Sequence, residues 1–320
     1  MAREAEQLGY DFQFFGVNEC QTTDVFTELR MAAEATTSLR MGCSVANFIT
    51  RHPSVVASAI ASIQLASEGR AICAVGKGDS AVGLIGRSPQ SHAEFAEDLR
   101  ALRAYLAGDA IRIGDVESRL RWLDDTTYTK VPLEVACSGP RSLHLAGATA
   151  DRVSLAVGAD PERIRWASDL VRAGAREAGR DSSDVQIGAH VPVAIHKSFA
   201  VARDELRPSV IGWAHMASFS AAGVEMQAPI LRRVTERVRN GYDYRFHSLE
   251  ESRNTPLLDV ATDEFVDYYG IAGPVSYVAE RLAALMDLGL GHLTFVMEGE
   301  QKARLAEDVA PLLRAHAAGR

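Results

Sequence analysis

The chain alternates short apolar or β-branched runs with longer amphipathic stretches. Residues 11–16 (DFQFFG) read as a strand behind a helix ending near Leu8 and Gly9. Residues 23–35 set Val25, Phe26, Leu29, Ala32 and Ala33 on one helical face. A strand over 39–48, a helix from His52 and Pro53 to Ala66, and a strand over 70–75 follow, the proline falling in a first turn that tolerates it. Residues 91–106 align Phe95, Leu99, Leu102 and Leu106 as a helix. After a polar excursion over 109–130 the rhythm resumes: strand 131–137, helix 141–149, strand 152–157, helix 161–178 behind Asp160 as N-cap, strand 185–196 and helix 201–216. Residues from about 217 to 269 are expected to be irregular. Helix 274–288, strand 292–297 and helix 301–316 close the chain.

Repeated strand–helix alternation implies parallel strands joined by right-handed crossovers. Short apolar strands covered on both faces fit a closed parallel sheet. Seven strands are counted, so an α/β barrel is one strand short. The shortage is at the front, where the chain opens inside what would be the first helix; a shortened start is the expected reason. One barrel domain over 1–320 accounts for the length, with 217–269 as an insertion before the last strand.

Composition narrows the class. The protein is 47% hydrophobic and 24% charged, which fits a soluble globular chain. Its net charge of −8 argues against a nucleic-acid partner, which requires a basic face, but leaves room for a small anionic cofactor. Cys20, Cys43, Cys73 and Cys137 form no C-x-x-C pair or metal-finger spacing; three sit in apolar runs and read as buried core. No metal site is expected. No apolar stretch is long and clean enough for a bilayer and no signal segment opens the chain, so a cytoplasmic protein acting on a small molecule is expected.

Three segments carry candidate chemistry. Gly76, Lys77, Gly78, Asp79 and Ser80 follow a strand, where glycines let the backbone turn tightly and aim N–H groups at an anion. Taken alone this run also resembles the G-x-G-x-x-A dinucleotide fingerprint, and it equally suits a barrel loop or a ligand-free turn. Gly83, Gly86 and Pro89 interrupt the helix that a dinucleotide fold needs. Ser138, Gly139, Pro140 and Arg141 stand between a strand and a helix; they read either as an N-terminal anion pocket or as ordinary capping by Ser138. Ser44 and Asn47 are polar residues in a buried-strand pattern and want partners. His52 reads as a helix-start residue rather than a base.

Together these segments resemble the bacterial-luciferase-like superfamily of flavin- and F420-dependent oxidoreductases, nearest the branch typified by methylenetetrahydromethanopterin reductase. The resemblance covers nearly the whole chain. It rests on residues 2–11 (AREAEQLGYD), Thr50-Arg51-His52-Pro53, residues 67–80 (SEGRAICAVGKGDS), 84–89 (LIGRSP), 136–140 (ACSGP) and 141–151 (RSLHLAGATAD). It implies a (β/α)8 TIM barrel with its site at the carboxyl ends of the strands. It further implies that Ser44-Val45 matches the family's non-prolyl cis peptide, a bulge supporting the isoalloxazine ring. Gly76, Lys77, Gly78, Asp79 and Ser80, with Asn47, would then lie along the cofactor, and Ser138, Gly139 and Pro140 near its phosphate. Residues 217–269 fall where the family carries a variable lid, and homodimers are usual.

Two departures stand out. The family begins with a strand that this chain lacks. Where many F420 enzymes of the family carry Asp-His after the strand here at 12–16, this chain has Val17, Asn18 and Glu19, so Asn18 and Glu19 are the remaining candidates for contact or catalysis there. The expected activity is hydride transfer with F420. Alternatives are an FMN-dependent monooxygenase, a non-catalytic flavin-binding or dimerising barrel, and, on the glycine run alone, an NAD(P)-dependent enzyme. His190, His196, Trp213, His215, Tyr242, Tyr244 and Phe246 are further residues able to line a substrate pocket.

Overall fold

The structure, a computed structural model, describes residues 1–127, 129–246, 255–297 and 299–319. Its contacts divide the chain into two compact units, Met1–Ala136 with Thr149–Arg152, and Cys137–Ala148 with Val153–Arg320.

The first unit runs α1 (Ala2–Gln7), β1 (Phe12–Gly16), α2 (Val25–Ala35), β2 (Arg40–Ser44), α3 (Pro53–Ala66), β3 (Ala71–Val75), a short α4 (Ser80–Gly83), α5 (His92–Ala107), the hairpin β4 (Ile111–Ile113) and β5 (Val116–Ser118), and β6 (Leu133–Cys137). Strands β1, β2, β3 and β6 lie side by side in that order, all parallel, with Phe12 opposite Arg40, Met41 opposite Ala71 and Cys73 opposite Leu133. Every residue of β3 is buried, as a parallel strand covered on both faces must be. Leu29, Val56, Ile60, Leu99 and Leu102 form the apolar faces of the covering helices.

Clamps at the starts of the strands set this register. Glu6 Oε1 accepts from the backbone N–H groups of Thr37, Ser38 and Leu39 at 2.6–3.0 Å, which holds its carboxyl down at about 2. The Arg70 guanidinium donates to the carbonyls of Ala33, Thr36 and Leu39, tying the end of α2 to the start of β2. Asp151 Oδ2 accepts from Leu133 N at 2.9 Å and so fixes the start of β6. Inside, Arg152 Nε donates to Glu134 Oε2 at 2.7 Å, with both residues almost fully buried.

The second unit runs α6 (Pro140–Thr149), β7 (Arg152–Leu155), α7 (Pro161–Glu177), β8 (Gln186–His190), β9 (Val193–Ile195), α8 (Phe199–Ala217), α9 (Ala221–Glu225), α10 (Pro229–Gly241), α11 (Thr255–Leu258), α12 (Asp263–Tyr269), β10 (Ile271–Gly273), α13 (Val275–Met286), β11 (His292–Thr294), α14 (Gly299–Arg304) and α15 (Ala310–Ala318). Strands β7, β8 and β11 lie in that order, and β9 pairs with β10 in a separate parallel pair. Helices α6 and α7 meet backbone to backbone. A Cβ on Gly147 would stand 1.9 Å from the Val171 carbonyl oxygen, and one on Gly174 would stand 1.9 Å from that of His144.

All seven predicted strands are present, and four expectations need correction. The run 185–196 is two strands, because Pro192 has no N–H to give a ladder and the chain bends there. The polar excursion holds a hairpin rather than none. The stretch 217–269 is largely helical where it is described: Leu231, Val234, Thr235 and Val238 give α10 a buried face, and with Trp213, Leu257, Phe265 and Tyr269 they belong to an apolar cluster shared by α8, α10, α11 and α12. Residues 247–254 of that stretch, and the Phe246 side chain, lie outside the described residues. Finally, the closing helix is interrupted by a π turn at Leu305–Val309, just before Pro311, which cannot donate a hydrogen bond to the helix. No helix among the described residues is long and apolar enough to cross a membrane.

Candidate cofactor site

In the first unit the candidate residues gather beyond the carboxyl ends of β2 and β3. The Ser44–Val45 peptide is cis, as the resemblance implied. Just past it Ala46 rejoins β3: its N–H donates to the Ala74 carbonyl at 3.0 Å, and Gly76 N–H donates to the Ala46 carbonyl at 2.9 Å. Gly76 is glycine for a steric reason, since a Cβ there would stand 2.8 Å from Val45 Cγ2. The bulge at Ser44-Val45 is therefore backed by the turn at Gly76. Gly78 has φ +91°, a conformation that favours glycine, and the chain then enters α4 at Ser80. The turn is closed from outside by Gln90 N–H, which donates to the Lys77 carbonyl at 3.0 Å.

Asn47 is buried, and its Oδ1 accepts from Ile49 N and Thr50 N at 3.1 and 2.9 Å. Its Nδ2, also buried, has no acceptor among the described residues. A buried amide donor left unpaired is costly and marks a place where a ligand acceptor fits.

The structure places other expected residues in structural work. Asn18 Nδ2 donates to Gln21 Oε1 at 2.7 Å. Glu19 faces Arg51, which also pairs with Asp24, the N-cap of α2. His52 caps α3, its Nδ1 accepting from Ser54 N at 3.2 Å. The motif Thr50-Arg51-His52-Pro53 thus organises the loop and helix after the bulge.

In the second unit Ser138 and Gly139 lead from β6 into α6, which starts at Pro140, so the N–H groups free of intrahelical partners in its first turn begin at Arg141. A Cβ on Gly139 would lie 3.8 Å from Ser220 Oγ, so Ser220 stands over this turn. At the end of β8, His190 is buried against Trp213 with ring centroids 5.2 Å apart, and burial pulls its pKa down to about 4. His215 stacks on Tyr242 at 4.0 Å and shares a 2.9 Å hydrogen bond with the Tyr244 hydroxyl. His196 acts locally, accepting from Ser198 N. Sequence reasoning passed over Arg163, in the first turn of α7, which is 1% exposed.

Residues 1–292 match the family model described as luciferase-like monooxygenase. The chain is 32% identical over 300 residues to the 5,10-methylenetetrahydromethanopterin reductase of Methanolobus tindarius, covering 90% of this chain and 86% of that protein. Its fold is similar to that of the coenzyme F420 dependent tetrahydromethanopterin reductase from Methanopyrus kandleri, with TM-score 0.72, 20% identity, and coverage of 97% and 93% of the two chains. It is also similar to a riboflavin lyase solved with modified FMN and riboflavin, with TM-score 0.70, 17% identity, and coverage of 99% and 83%. The matched model spans nearly the whole chain, the fold is the luciferase-like TIM barrel, and the protein therefore belongs to the luciferase-like monooxygenase family as an enzyme of the oxidoreductase class.

Proposed function

We propose that this protein is an F420-dependent oxidoreductase that passes a hydride between the deazaflavin and a small organic substrate. The observation that carries the reading is the buried, unpaired Asn47 amide beside the Gly76 turn, which packs directly on Val45. These residues fit a flat ring with acceptors on its edge. F420 is preferred because the relative from Methanolobus is a methylenetetrahydromethanopterin reductase and the similar Methanopyrus structure is F420-dependent.

When bound, F420 supplies a ring carbon that accepts or releases a hydride. The chain's own residues bind and orient it. Ser44 and Val45 would back the ring, Asn47 would offer it a donor, and Gly76, Lys77, Gly78, Asp79 and Ser80 would line it with backbone. On the family resemblance, the first turn of α6 behind Ser138, Gly139 and Pro140 would offer its N–H groups, from Arg141 onward, to the phosphate. Asn18 and Glu19 receive no proton-transfer role here: an amide does not titrate in this range, and Glu19 faces Arg51, though the buried Asn18 Oδ1 has no donor among the described residues. A cytoplasmic homodimer acting on a small molecule completes the reading; sedimentation of the purified protein checks the dimer.

FMN-dependent monooxygenation is the second reading, favoured by the family's description and by the FMN in the riboflavin lyase structure. Anaerobic mixing separates the two. Reduced F420 should be oxidised by an organic acceptor, or oxidised F420 reduced by an alcohol, with no need for oxygen. Turnover seen only with FMN and oxygen would reverse the assignment.

A further inference from the structure

Arg163 is the most anomalous charge in the second unit. It is 1% exposed, and Nε, Nη1 and Nη2 are each buried with no hydrogen-bond acceptor among the described residues. No carboxylate among them lies within ion-pair distance of it; the nearby Asp160 instead caps α7 by accepting from Arg163 N–H at 2.9 Å. The guanidinium rests over the rings of Tyr268 and Tyr269, 5.5 and 5.6 Å from their centroids. Tyr268 has its hydroxyl near the guanidinium, and the cation opposes the upward push of burial on its pKa, but the two form no hydrogen bond of ordinary geometry. Ring faces attract a cation but supply no lone pairs for its five donors.

The surroundings say what would supply them. A Cβ on Gly223 would lie 3.2 Å from Arg163 Nη2 and equally 3.2 Å from Ser220 Oγ, and Ser220 Oγ stands 3.8 Å from the Cβ position of Gly139. The guanidinium, the serine hydroxyl and the start of the ten-residue helix α6 therefore share one neighbourhood. The glycine contact between α6 and α7 fixes the two helices that bring them there. A helix N-terminus, a hydroxyl and a buried guanidinium without an anion make a site for a phosphate ester.

We propose that Arg163, with Ser220 and the first turn of α6, is the counter-charge for a phosphate group bound at this site. Only the identity of that group, the phosphate of the bound cofactor, rests on the function proposed above. The site itself rests on the buried, unmatched cation.

The test uses the full-length protein with Arg163→Met and Arg163→Lys. Wild type should be stabilised by inorganic phosphate in thermal melts. It should bind F420 and FMN more tightly than their phosphate-free counterparts, the dephosphorylated deazaflavin and riboflavin. In Arg163→Met the phosphate-bearing forms should weaken about 10- to 100-fold, the loss expected for charge-assisted hydrogen bonds, while the phosphate-free forms bind as before. Its melting midpoint without phosphate should match or exceed that of wild type, because an uncompensated charge has gone, and phosphate should no longer raise it. Arg163→Lys should keep part of the preference. The proposal is overturned if Arg163→Met lowers the midpoint equally with and without phosphate and leaves the preference for phosphate intact, the signature of cation–π packing alone. Should that variant not fold, an undiminished phosphate preference in Arg163→Lys, or a wild type indifferent to phosphate, overturns it equally. Phosphate stabilisation lost in the variants, in a protein that binds neither cofactor, would sink the F420 reading and uphold the site.

Discussion

Glu134 and Arg152 offer the clearest energetic test of the first unit. Their side chains are 1% and 5% exposed and meet at 2.7 Å. Arg40 lies close enough for its own pKa to be lowered by burial and by Arg152 and raised by Glu134. The Phe12 ring lies under the Arg152 guanidinium, 5.6 Å away. Glu134→Gln keeps the shape but removes a carboxylate that acts on both Arg40 and Arg152. Breaking a buried pair from one side costs about 3–5 kcal/mol, because the buried partner loses its counter-charge. Against a total stability of about 5–15 kcal/mol, that is a large fraction. Glu134→Leu with Arg152→Met removes both charges and should fall within about 2 kcal/mol of wild type, or exceed it. Urea unfolding at pH 7, followed by far-UV circular dichroism, measures all three proteins and the coupling between the sites. A Glu134→Gln variant that loses less than about 1 kcal/mol would refute the reasoning. So would a double variant as damaged as the sum of its singles. Cofactor affinity should hardly change, since this pair sits near the starts of β6 and β7 rather than their ends.

Further outcomes are expected elsewhere. Gly174→Ala should cost about 1–3 kcal/mol or more, measured by the same unfolding, because its Cβ would collide with the His144 carbonyl rather than with a movable side chain. Gly76→Ala should weaken F420 and FMN binding in titration by displacing Val45, with a smaller effect on the melting midpoint. Burial lowers His190 to about 4, below its ordinary 6.5, so its contribution is present above pH 6.5 and is lost as pH falls toward 4. That amounts to about 3 kcal/mol, and His190→Phe should flatten the profile in that window. Glu6 titrates lower still, at about 2 against an ordinary 4.5. Its contribution is present above 4.5 and fades below, so Glu6→Gln should flatten a second, more acidic limb of the curve.

Much of the architecture was legible because apolar periodicity and punctuation agreed. Val25 to Ala33 on one face, or Phe95 to Leu106 on another, leaves little choice of structure, and the structure adds an Asp24 N-cap to the first helix and a Ser91 and Glu94 capping box to the second. The motifs that carried the family resemblance divide by physical task. Glu6, Arg70 and Asp151 clamp strand starts, where a parallel barrel secures its stability, while Ser44-Val45 and Gly76 to Ser80 shape a strand end. The helices over 217–269 were missed because α10 is arginine-rich and its apolar stripe is narrow: Leu231, Val234 and Val238 show only once α8 and α12 pack on them. The three-residue strand β10 gives no periodic signal at all, and only its partner β9 defines it. Arg163 was invisible for a different reason. An arginine in the first turn of an amphipathic helix reads as solvent-facing, and only the tertiary structure brings Tyr268 and Tyr269 over it.

The central claim is that these residues hold a deazaflavin. Paired titrations of one purified preparation with F420 and with FMN, read by quenching of ligand fluorescence, test it most directly. The account predicts saturable F420 binding in the micromolar range or tighter, with FMN weaker and Gly76→Ala weaker for both. Binding of FMN alone, or of neither cofactor, would contradict it.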